Sequence, residues 1–588
     1  MRALFLALGI GLCSPAGAQQ AADTVAPEGA GAGGLQLPGL LAEAQAAKDA
    51  GRPVEAENWM IAAAHPLAVE AGAMVLRAGG TAADAMVAVQ AVLGLVEPQS
   101  SGLGGGAFLV WHDGTSGEIT TLDGRETAPM DATPTLFQDE TGQPLEFFDA
   151  VVGGRSVGTP GTPALLRAAH ERWGQAAWPG LFEDAIRLAE DGFPVSPRLA
   201  SLVAGDAERL ARFPATRAYF LPGGEPLGVG DRLRNPAYAE TLRVLAEHGP
   251  RAFYTGEIAA DIVETVQGAP GNPGVLSTTD LAVYRVKERP ALCVPYRLFE
   301  VCGMGPPSSG APTVGQILGL LSPFDLAGLG PDDPEAWRLI GDASRLAFAD
   351  RGRYLADSDF VPVPIKGLLA SDYLKSRSDL LRGDDALPEV APGRPEFDHA
   401  LNLADDQSIE LPSTSHISIV DGYGNALSMT STIENGFGSR LMVRGFLLNN
   451  ELTDFSFASH EDGRPIANRV APGKRPRSSM APTILRRDGA PVLVLGSPGG
   501  SLIIGYVAKT IIAWADWGMD VQQAVALPHL VNRFGPYDVE EPRLALPLRD
   551  MGYEVTVRDL TSGLHVIEIG DVLQGGADPR REGLAYGE

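Results

Sequence analysis

The stretch LPSTSHISIVDGYGNALSMTSTIENGF, residues 411–437, predicts two short strands joined by a tight turn. Polar and apolar residues alternate in SHISIVD and again in ALSMTSTI, and GYGN between them supplies residues that tolerate a positive φ. If the turn centres on Tyr423 and Gly424, Thr414 lies opposite Thr432 or Ile433 across the hairpin. Taken alone, the stretch is typical of an ordinary polar-faced hairpin rich in serine and threonine.

The segment before the hairpin differs from it in composition. Residues 376–412 are polar, acidic and proline-containing, with little periodicity. This composition is typical of an exposed chain, so we predict a mobile linker that ends immediately before Thr414. Farther upstream, Thr81 and Asp84 have the spacing of a capping box at the start of a helix, and residues 155–290 predict a mainly helical scaffold.

The composition of the 588-residue chain excludes several classes of function. Lysine and arginine total 46 against 73 aspartate and glutamate, a net charge of −27 that argues against nucleic-acid binding. Neither HExxH nor paired CxxC occurs, and the glycine-rich run PQSSGLGGGAF fits neither the dinucleotide-binding nor the Walker pattern. We therefore predict no metal and no other cofactor.

The first 18 residues, MRALFLALGIGLCSPAGA, predict a secretory signal peptide cut after Ala18. A lipoprotein signal through Cys13 is disfavoured because the bulky Leu12 precedes that cysteine. No later segment offers eighteen uninterrupted apolar residues, so we predict a secreted or periplasmic protein without a stable membrane anchor.

Two cysteines remain after removal of the signal peptide, in RPALCVPYRLFEVCGMGPP. A tight turn at Arg297 and Leu298 would place Cys293 opposite Cys302 on neighbouring strands. In an oxidising compartment a disulfide between them is a candidate, and two free thiols are the alternative.

A strand, a turn and a helix are predicted in PVLVLGSPGGSLIIGYVAKTIIAWADWG. Gly499 and Gly500 lie at the start of that helix, where unpaired N–H groups suit an anion or an oxyanion. Arg125 follows a strand end in LDGRETAP; a lone arginine is usually a surface residue, but its planar fork would suit a substrate carboxylate.

These pieces together resemble the γ-glutamyltranspeptidase family, from about residue 60 to the C-terminus. The motifs that carry the resemblance are, in chain order, PQSSGLGGGAF, DGRETAP, PPSSG, TSHISIVDGYGNA, LLNNELTDFS, KRPRSSMAPT, GSPGGS and GGADPRR. The resemblance implies an α+β fold, the αββα four-layer sandwich of N-terminal-nucleophile hydrolases. It also implies a precursor that cleaves itself between Ser413 and Thr414, giving a heterodimer of a large subunit, residues 19–413, and a small catalytic subunit, residues 414–588.

The resemblance further implies catalytic roles. Thr414 would be the nucleophile, and its new α-amine would act as the base that a weakly nucleophilic hydroxyl needs. Thr432 would hydrogen-bond this nucleophile, and Gly499 with Gly500 would form the oxyanion hole.

Substrate-binding residues carry over in the same way. Arg125, Ser478 and Ser479 match positions that hold the α-carboxylate of a γ-glutamyl group, and Glu451 with Asp454 match those that hold its α-amine. Glu434 is a departure, because many family members have asparagine there, and a carboxylate cannot donate as an amide does. We expect Glu434 either to add to the amine-binding charge or to alter acceptor handling. The segment between Asp454 and Ser478 is also shorter than in members with a full lid.

The resemblance predicts a γ-glutamyl hydrolase/transpeptidase acting on glutathione and other γ-glutamyl amides. Its acyl group would pass to water or to an amino-acid or peptide amine. A glutaryl- or cephalosporin-type acylase on the same fold is the alternative, although its substrates lack the α-amine that Glu451 and Asp454 would bind. A processed, non-catalytic binding protein is disfavoured because Thr414, Thr432 and the glycine pair are all retained.

Overall fold

The computed structural model describes residues 39–399, 402–406, 408–411 and 413–588. The predicted signal peptide lies outside these residues. Within them, no helix combines the length and the apolar character that crossing a membrane requires.

Two seven-stranded sheets form the centre of the described part of the chain. In chain order their strands are β1 (Val54–Ala56), β2 (Met60–Ala63), β3 (Gly106–His112), β4 (Ile119–Gly124), β5 (Lys287–Pro290), β6 (Leu292–Tyr296), β7 (Phe299–Gly303), β8 (Thr414–Val420), β9 (Ala426–Thr432), β10 (Thr483–Arg487), β11 (Ala490–Gly496), β12 (His565–Ile569), β13 (Leu573–Ala577) and β14 (Leu584–Gly587). The first sheet has the order β14-β2-β8-β9-β3-β4-β5, and the second β1-β13-β12-β11-β10-β7-β6.

The hairpin of β8 and β9 lies in the middle of the first sheet. Its register pairs Thr414 with Thr432 and Val420 with Ala426, which confirms the predicted hairpin. Strand β9 pairs in turn with β3, so that Thr432 lies beside Gly106. A side chain on Gly106 would collide with the carboxyl group of Glu126, and this close approach explains the glycine.

Three apolar layers give the chain its αββα architecture. Met60, Val110, Val494 and Ile567 are among the residues packed between the two sheets. The outer face of the first sheet packs against the helices Pro66–Arg77, Ala82–Val96, Thr162–Trp173, Glu183–Asp191, Pro236–His248 and Glu257–Gln267. The outer face of the second sheet packs against Gly310–Leu321, Pro334–Tyr354, Ile503–Ala515, Val521–Ala526 and Pro542–Asp550.

Shorter elements surround these layers. The further helices are Ala42–Asp49, Phe147–Val151, Pro197–Gly205, Ala207–Leu210, Pro214–Phe220, Arg251–Thr255, Thr278–Val283, Leu326–Leu329, Ile365–Leu368 and Ser371–Ser378. Short two-stranded sheets are formed by Phe193–Pro194 with Arg232–Leu233, by Met442–Val443 with Phe446–Leu447, and by His460–Glu461 with Arg464–Pro465. A short three-stranded sheet is formed by Leu530–Asn532, Tyr537–Val539 and Val555–Val557. The capping box of Thr81 and Asp84 is present at the start of Ala82–Val96, as predicted.

The expectation of an exposed linker over residues 376–412 is wrong in part. The helix Ser371–Ser378 reaches into this segment, and Leu403, Ala404, Glu410 and Leu411 are buried. The polar composition was misleading because Glu410, although charged, is buried against guanidinium and hydroxyl groups of distant parts of the chain.

The cysteines lie at the edge of the second sheet, on β6 and β7. Cys293 is directly opposite Cys302 in the register, and their sulfurs are bonded at 2.03 Å. Of the two alternatives left by the sequence, the structure therefore has the disulfide.

Candidate active site

A cavity lies beside the first residue of β8. The residues lining it include these site residues named from the sequence: Arg125, Thr414, Thr432, Glu434, Glu451, Asp454, Ser478, Ser479 and Gly500. Glu410, Leu411, Met480 and Ile503, which the sequence did not indicate, also line it. Gly499 and Ser413 adjoin this set in the chain, whereas the cysteine pair lies elsewhere, on β6 and β7. The free space measures about 20 Å³, room for about one water molecule.

The hydroxyl groups of Thr432 and Thr414 lie beside the peptide bond between Ser413 and Thr414. Thr432 donates from its hydroxyl to the carbonyl oxygen of Ser413 at 2.9 Å, and Thr414 donates to Thr432 Oγ1 at 3.4 Å. The backbone N–H of Glu434 donates to the same Thr432 oxygen at 2.8 Å, which orients the hydroxyl. This geometry polarises the Ser413 carbonyl and places the Thr414 hydroxyl next to it.

Arg125 is fully buried and paired with two of the carboxylates in the cavity. Its guanidinium donates to Glu451 and to Asp454, and also to the carbonyl oxygens of Pro476 at 3.2 Å and Arg477 at 3.1 Å. Burial lowers the pKa of Arg125, but the carboxylates of Glu451, Asp454 and Glu126 outweigh burial, so the net pKa is raised and the group stays charged. Arg125 thus connects the 3₁₀ turn Glu451–Asp454 with the segment that carries Ser478 and Ser479.

Three buried carboxyl groups, those of Glu126, Glu451 and Asp454, pair with this one guanidinium. A fourth, that of Glu434, is repelled by Glu451 and Asp454, so the like charges oppose one another's ionisation. Burial is the main cause that raises the pKa of Glu126, Glu434, Glu451 and Asp454. For Glu434, repulsion by Asp454 and Glu451 raises the pKa further. Burial and the repulsion between these carboxyl groups thus favour their protonated forms, whereas Arg125 or a cationic ligand favours the ionised forms.

Replacing Glu434 with glutamine tests this charge balance. A carboxyl group whose pKa is higher in the folded than in the unfolded state loses stabilising free energy as the pH rises between those two values. We therefore expect wild type to lose stability relative to Glu434→Gln as the pH rises from 5 to 8, by up to about 1.4 kcal/mol per pH unit. Thermal unfolding of both proteins across this range measures the difference; a difference independent of pH would contradict the assignment.

The glycine pair follows strand β11 and precedes the helix Ile503–Ala515. Gly499 and Gly500 have positive φ angles of 139° and 56°, and a single 3₁₀ turn, Gly500–Leu502, leads into the helix. A side chain at Gly500 would come within 2.8 Å of the carbonyl oxygen of Leu411. Glycine at position 500 thus lets the chain just before the Ser413–Thr414 bond lie against the helix start.

Several residues at this site were not predicted from the sequence. Arg581 donates to the carbonyl oxygen of Thr414 at 3.3 Å, and Asn450 donates to the carboxyl group of Glu434. Arg581 lies in the motif GGADPRR and Asn450 in LLNNELTDFS, so the motifs could have indicated that both belong to the site. Glu410 and Arg351 carried no such signal, because one lies in the polar segment and the other in an ordinary helix.

The family is shown by comparison with known sequences. The family model described as Gamma-glutamyltranspeptidase matches residues 68–588. The chain belongs to the γ-glutamyltranspeptidase family. Among relatives in this family, the glutathione hydrolase proenzyme of Bacillus subtilis (strain 168) is 38% identical over 90% of this chain and 92% of that protein. The glutathione hydrolase proenzyme of Escherichia coli (strain K12) is 35% identical over 91% and 92%.

Solved structures agree with this membership. The cephalosporin acylase from Bacillus halodurans aligns with a TM-score of 0.81 and 26% identity over 91% of this chain and 97% of that chain. The γ-glutamyltranspeptidase of Helicobacter pylori aligns with a TM-score of 0.55 and 34% identity, over 57% of this chain and 96% of that chain. The N-terminal-nucleophile hydrolase fold predicted for this γ-glutamyltranspeptidase family member is confirmed, and so is its class as an enzyme.

Proposed function

We propose that this protein is a secreted γ-glutamyl hydrolase/transpeptidase acting on glutathione and other γ-glutamyl amides, after it cleaves itself between Ser413 and Thr414. The observation that carries the proposal is the pairing of Arg125 with Glu451 and Asp454 in the cavity that Thr414 also lines. A guanidinium and carboxylates side by side match the carboxylate and ammonium groups of a glutamyl α-carbon. Such a ligand would replace the internal ion pairs with its own.

Self-cleavage begins with attack of Thr414 Oγ1 on the carbonyl carbon of Ser413. Negative charge develops on the carbonyl oxygen, where the Thr432 hydroxyl donates its hydrogen bond. The C–N bond then breaks, its nitrogen takes the hydroxyl proton and becomes the α-amine of Thr414, and Ser413 is held as an ester. Water hydrolyses that ester to a Ser413 carboxylate and a free Thr414 hydroxyl.

Thr432→Ala is expected to slow this cleavage by roughly 10²–10³-fold, because it removes the donor to the developing oxyanion. Thr432→Ser keeps the hydroxyl and serves as the matched control. The fraction of intact chain is followed over time on a denaturing gel. Cleavage of Thr432→Ala at the wild-type rate would contradict the role given to this hydroxyl.

Turnover uses the two groups of Thr414 that cleavage frees. The α-amine, with an unperturbed pKa of about 7.7–8.0, accepts the hydroxyl proton as Thr414 Oγ1 attacks the γ-carbonyl carbon of the donor. The N–H groups of Gly499 and Gly500 stabilise the oxyanion, and the protonated leaving amine departs. Water or a second amine then attacks the γ-glutamyl ester and regenerates the enzyme.

A glutaryl or cephalosporin acylase is the second candidate, supported by the alignment with the B. halodurans acylase. Its donors would offer a carboxylate to Arg125 but no ammonium to Glu451 and Asp454. Leaving buried carboxylates without a cation is costly, which favours the γ-glutamyl donor.

The two candidates are separated by a pair of anilides, L-γ-glutamyl-4-nitroanilide and glutaryl-4-nitroanilide, given to purified, cleaved wild type. We expect kcat/KM to be at least about 10-fold higher for the γ-glutamyl anilide, the value of one charge-assisted contact. Preference for the glutaryl anilide would establish the acylase instead. Turnover of neither anilide would contradict both candidates.

A further inference from the structure

Glu410 lies four residues before Thr414 and is bound inside the candidate active site. The residue is 4% exposed. One carboxylate oxygen accepts from Arg351, the other accepts from the hydroxyl of Ser479, and Arg477 lies 3.4 Å away. Burial would raise the pKa of Glu410, but the guanidiniums of Arg351 and Arg477 outweigh burial and lower it to about 2. The chain thus contains a well-built carboxylate site, occupied by its own glutamate.

Arg351 is fixed in this site from several sides. It donates from Nε to Ser309 Oγ at 2.8 Å and from Nη2 to Ser479 Oγ at 2.7 Å, and it is 2% exposed. Arg477 also pairs with Asp406 at 2.8 Å and so keeps a carboxylate of its own. Arg351 therefore depends more strongly on Glu410 for compensation of its charge.

Cleavage after Ser413 frees the end of the segment that carries Glu410. A ligand larger than a water molecule can enter the cavity only if this segment withdraws, because Glu410 and Leu411 line the small space that remains. Withdrawal would leave the Arg351 guanidinium buried beside Arg477 without its carboxylate, which is strongly unfavourable. An incoming carboxylate would restore the compensation.

We propose that Glu410 occupies, in the uncleaved chain, the position that the substrate's α-carboxylate takes after cleavage, and that Arg351 is a specificity-determining residue for that carboxylate. This inference rests on the proposed function. In this arrangement the guanidinium of Arg351, which hydrogen-bonds Ser479, joins that of Arg125 at the carboxylate site. Arg125 lies between that site and the carboxylates that would bind the amine. Glu410 is then both a substitute ligand in the precursor and a block against premature substrate binding.

The test uses Arg351→Lys, which keeps the charge but loses the planar fork. Three donors are compared after self-cleavage: γ-glutamyl-4-nitroanilide, glutaryl-4-nitroanilide, which lacks the amine, and 4-aminobutyryl-4-nitroanilide, which lacks the α-carboxylate. We expect KM to rise about 10–100-fold for the two donors with a carboxylate, with kcat changing less, and kcat/KM for the 4-aminobutyryl donor to stay within about 2-fold. Arg353→Lys, on the same helix and paired with Asp405 at its surface, is the matched control and should leave all three unchanged.

An equal loss of kcat/KM for all three donors would show that Arg351 has only a structural role. Unchanged constants for all three donors would show that Arg351 does not contact the substrate. Either result overturns the inference. Should Arg351→Lys fail to cleave itself, Ser309→Ala is compared in the same way, because it removes the acceptor at Arg351 Nε and keeps the guanidinium. It should give the same donor pattern with a smaller, several-fold rise in KM. If wild type itself does not turn over γ-glutamyl donors, the proposed function fails. If wild type turns them over but Arg351→Lys does not change their KM, only the inference about Arg351 fails.

Discussion

Thr414→Ala is expected to remain a single chain and to show no turnover of γ-glutamyl anilide. The substitution removes the oxygen that attacks the Ser413 carbonyl, so the ester cannot form and the α-amine is never freed. It also removes the oxygen that would carry the γ-glutamyl group. Loss of the catalytic nucleophile lowers kcat by roughly 10⁴–10⁶-fold in hydrolases that form a covalent acyl-enzyme, so activity should fall below detection.

Two neighbouring substitutions serve as controls for this result. Ser415→Ala removes the next hydroxyl on β8, which hydrogen-bonds to Glu97 rather than to Thr432, and should leave cleavage intact. Thr414→Ser keeps the attacking oxygen and should cleave, at a reduced rate. A denaturing gel and an anilide assay measure both properties. Cleavage of Thr414→Ala into the same two chains would remove Thr414 from the mechanism.

Asp454→Asn is expected to lower kcat/KM for γ-glutamyl donors by about 10–100-fold, mostly through KM. The amide has the shape of the carboxyl group but cannot offer a charge to the substrate ammonium, and hydrogen bonds to charged groups contribute about 1.5–3 kcal/mol. Asp454 also pairs with Arg125 in the cavity, and Glu451 remains as a second carboxylate for that guanidinium. Folding should therefore survive the change.

Glutaryl-4-nitroanilide is the control substrate for Asp454→Asn, because it has no ammonium to lose. Its kcat/KM should stay within a few-fold of wild type, so that the preference between the two donors narrows. A parallel loss on both donors would instead assign Asp454 to the general support of Arg125. Unchanged constants for the γ-glutamyl donor would take Asp454 out of the substrate site.

The parts of the fold that could be predicted from the sequence are those specified locally. Alternation on both sides of Tyr423 and Gly424 was enough to place Thr414 opposite Thr432 or Ile433, of which the structure has Thr432. The spacing of Thr81 and Asp84 was enough for the capping box. A turn midway between the cysteines likewise brought their strands into the observed register. In each case the two residues that contact each other are close together in the chain.

The charged groups of the site could not be predicted from residue pattern alone. Arg125 and Glu451 are 326 positions apart, and only the resemblance to a family indicated that they meet. The burial of Glu410 was missed for the same reason: its partners Arg351 and Ser479 lie in a helix and in a segment after β9. Polar composition predicts exposure only when no distant charge compensates the buried group.

The central claim is that Thr414 becomes a chain terminus and carries the γ-glutamyl group. The most direct measurement is the intact mass of the chains, taken after brief reaction of purified wild type with γ-glutamyl-4-nitroanilide and quenching in acid, followed by fragmentation of the smaller chain. We predict a small chain spanning residues 414–588, part of it heavier by one γ-glutamyl group located on Thr414. An uncut chain, a different first residue, or an adduct on any other residue would contradict the account.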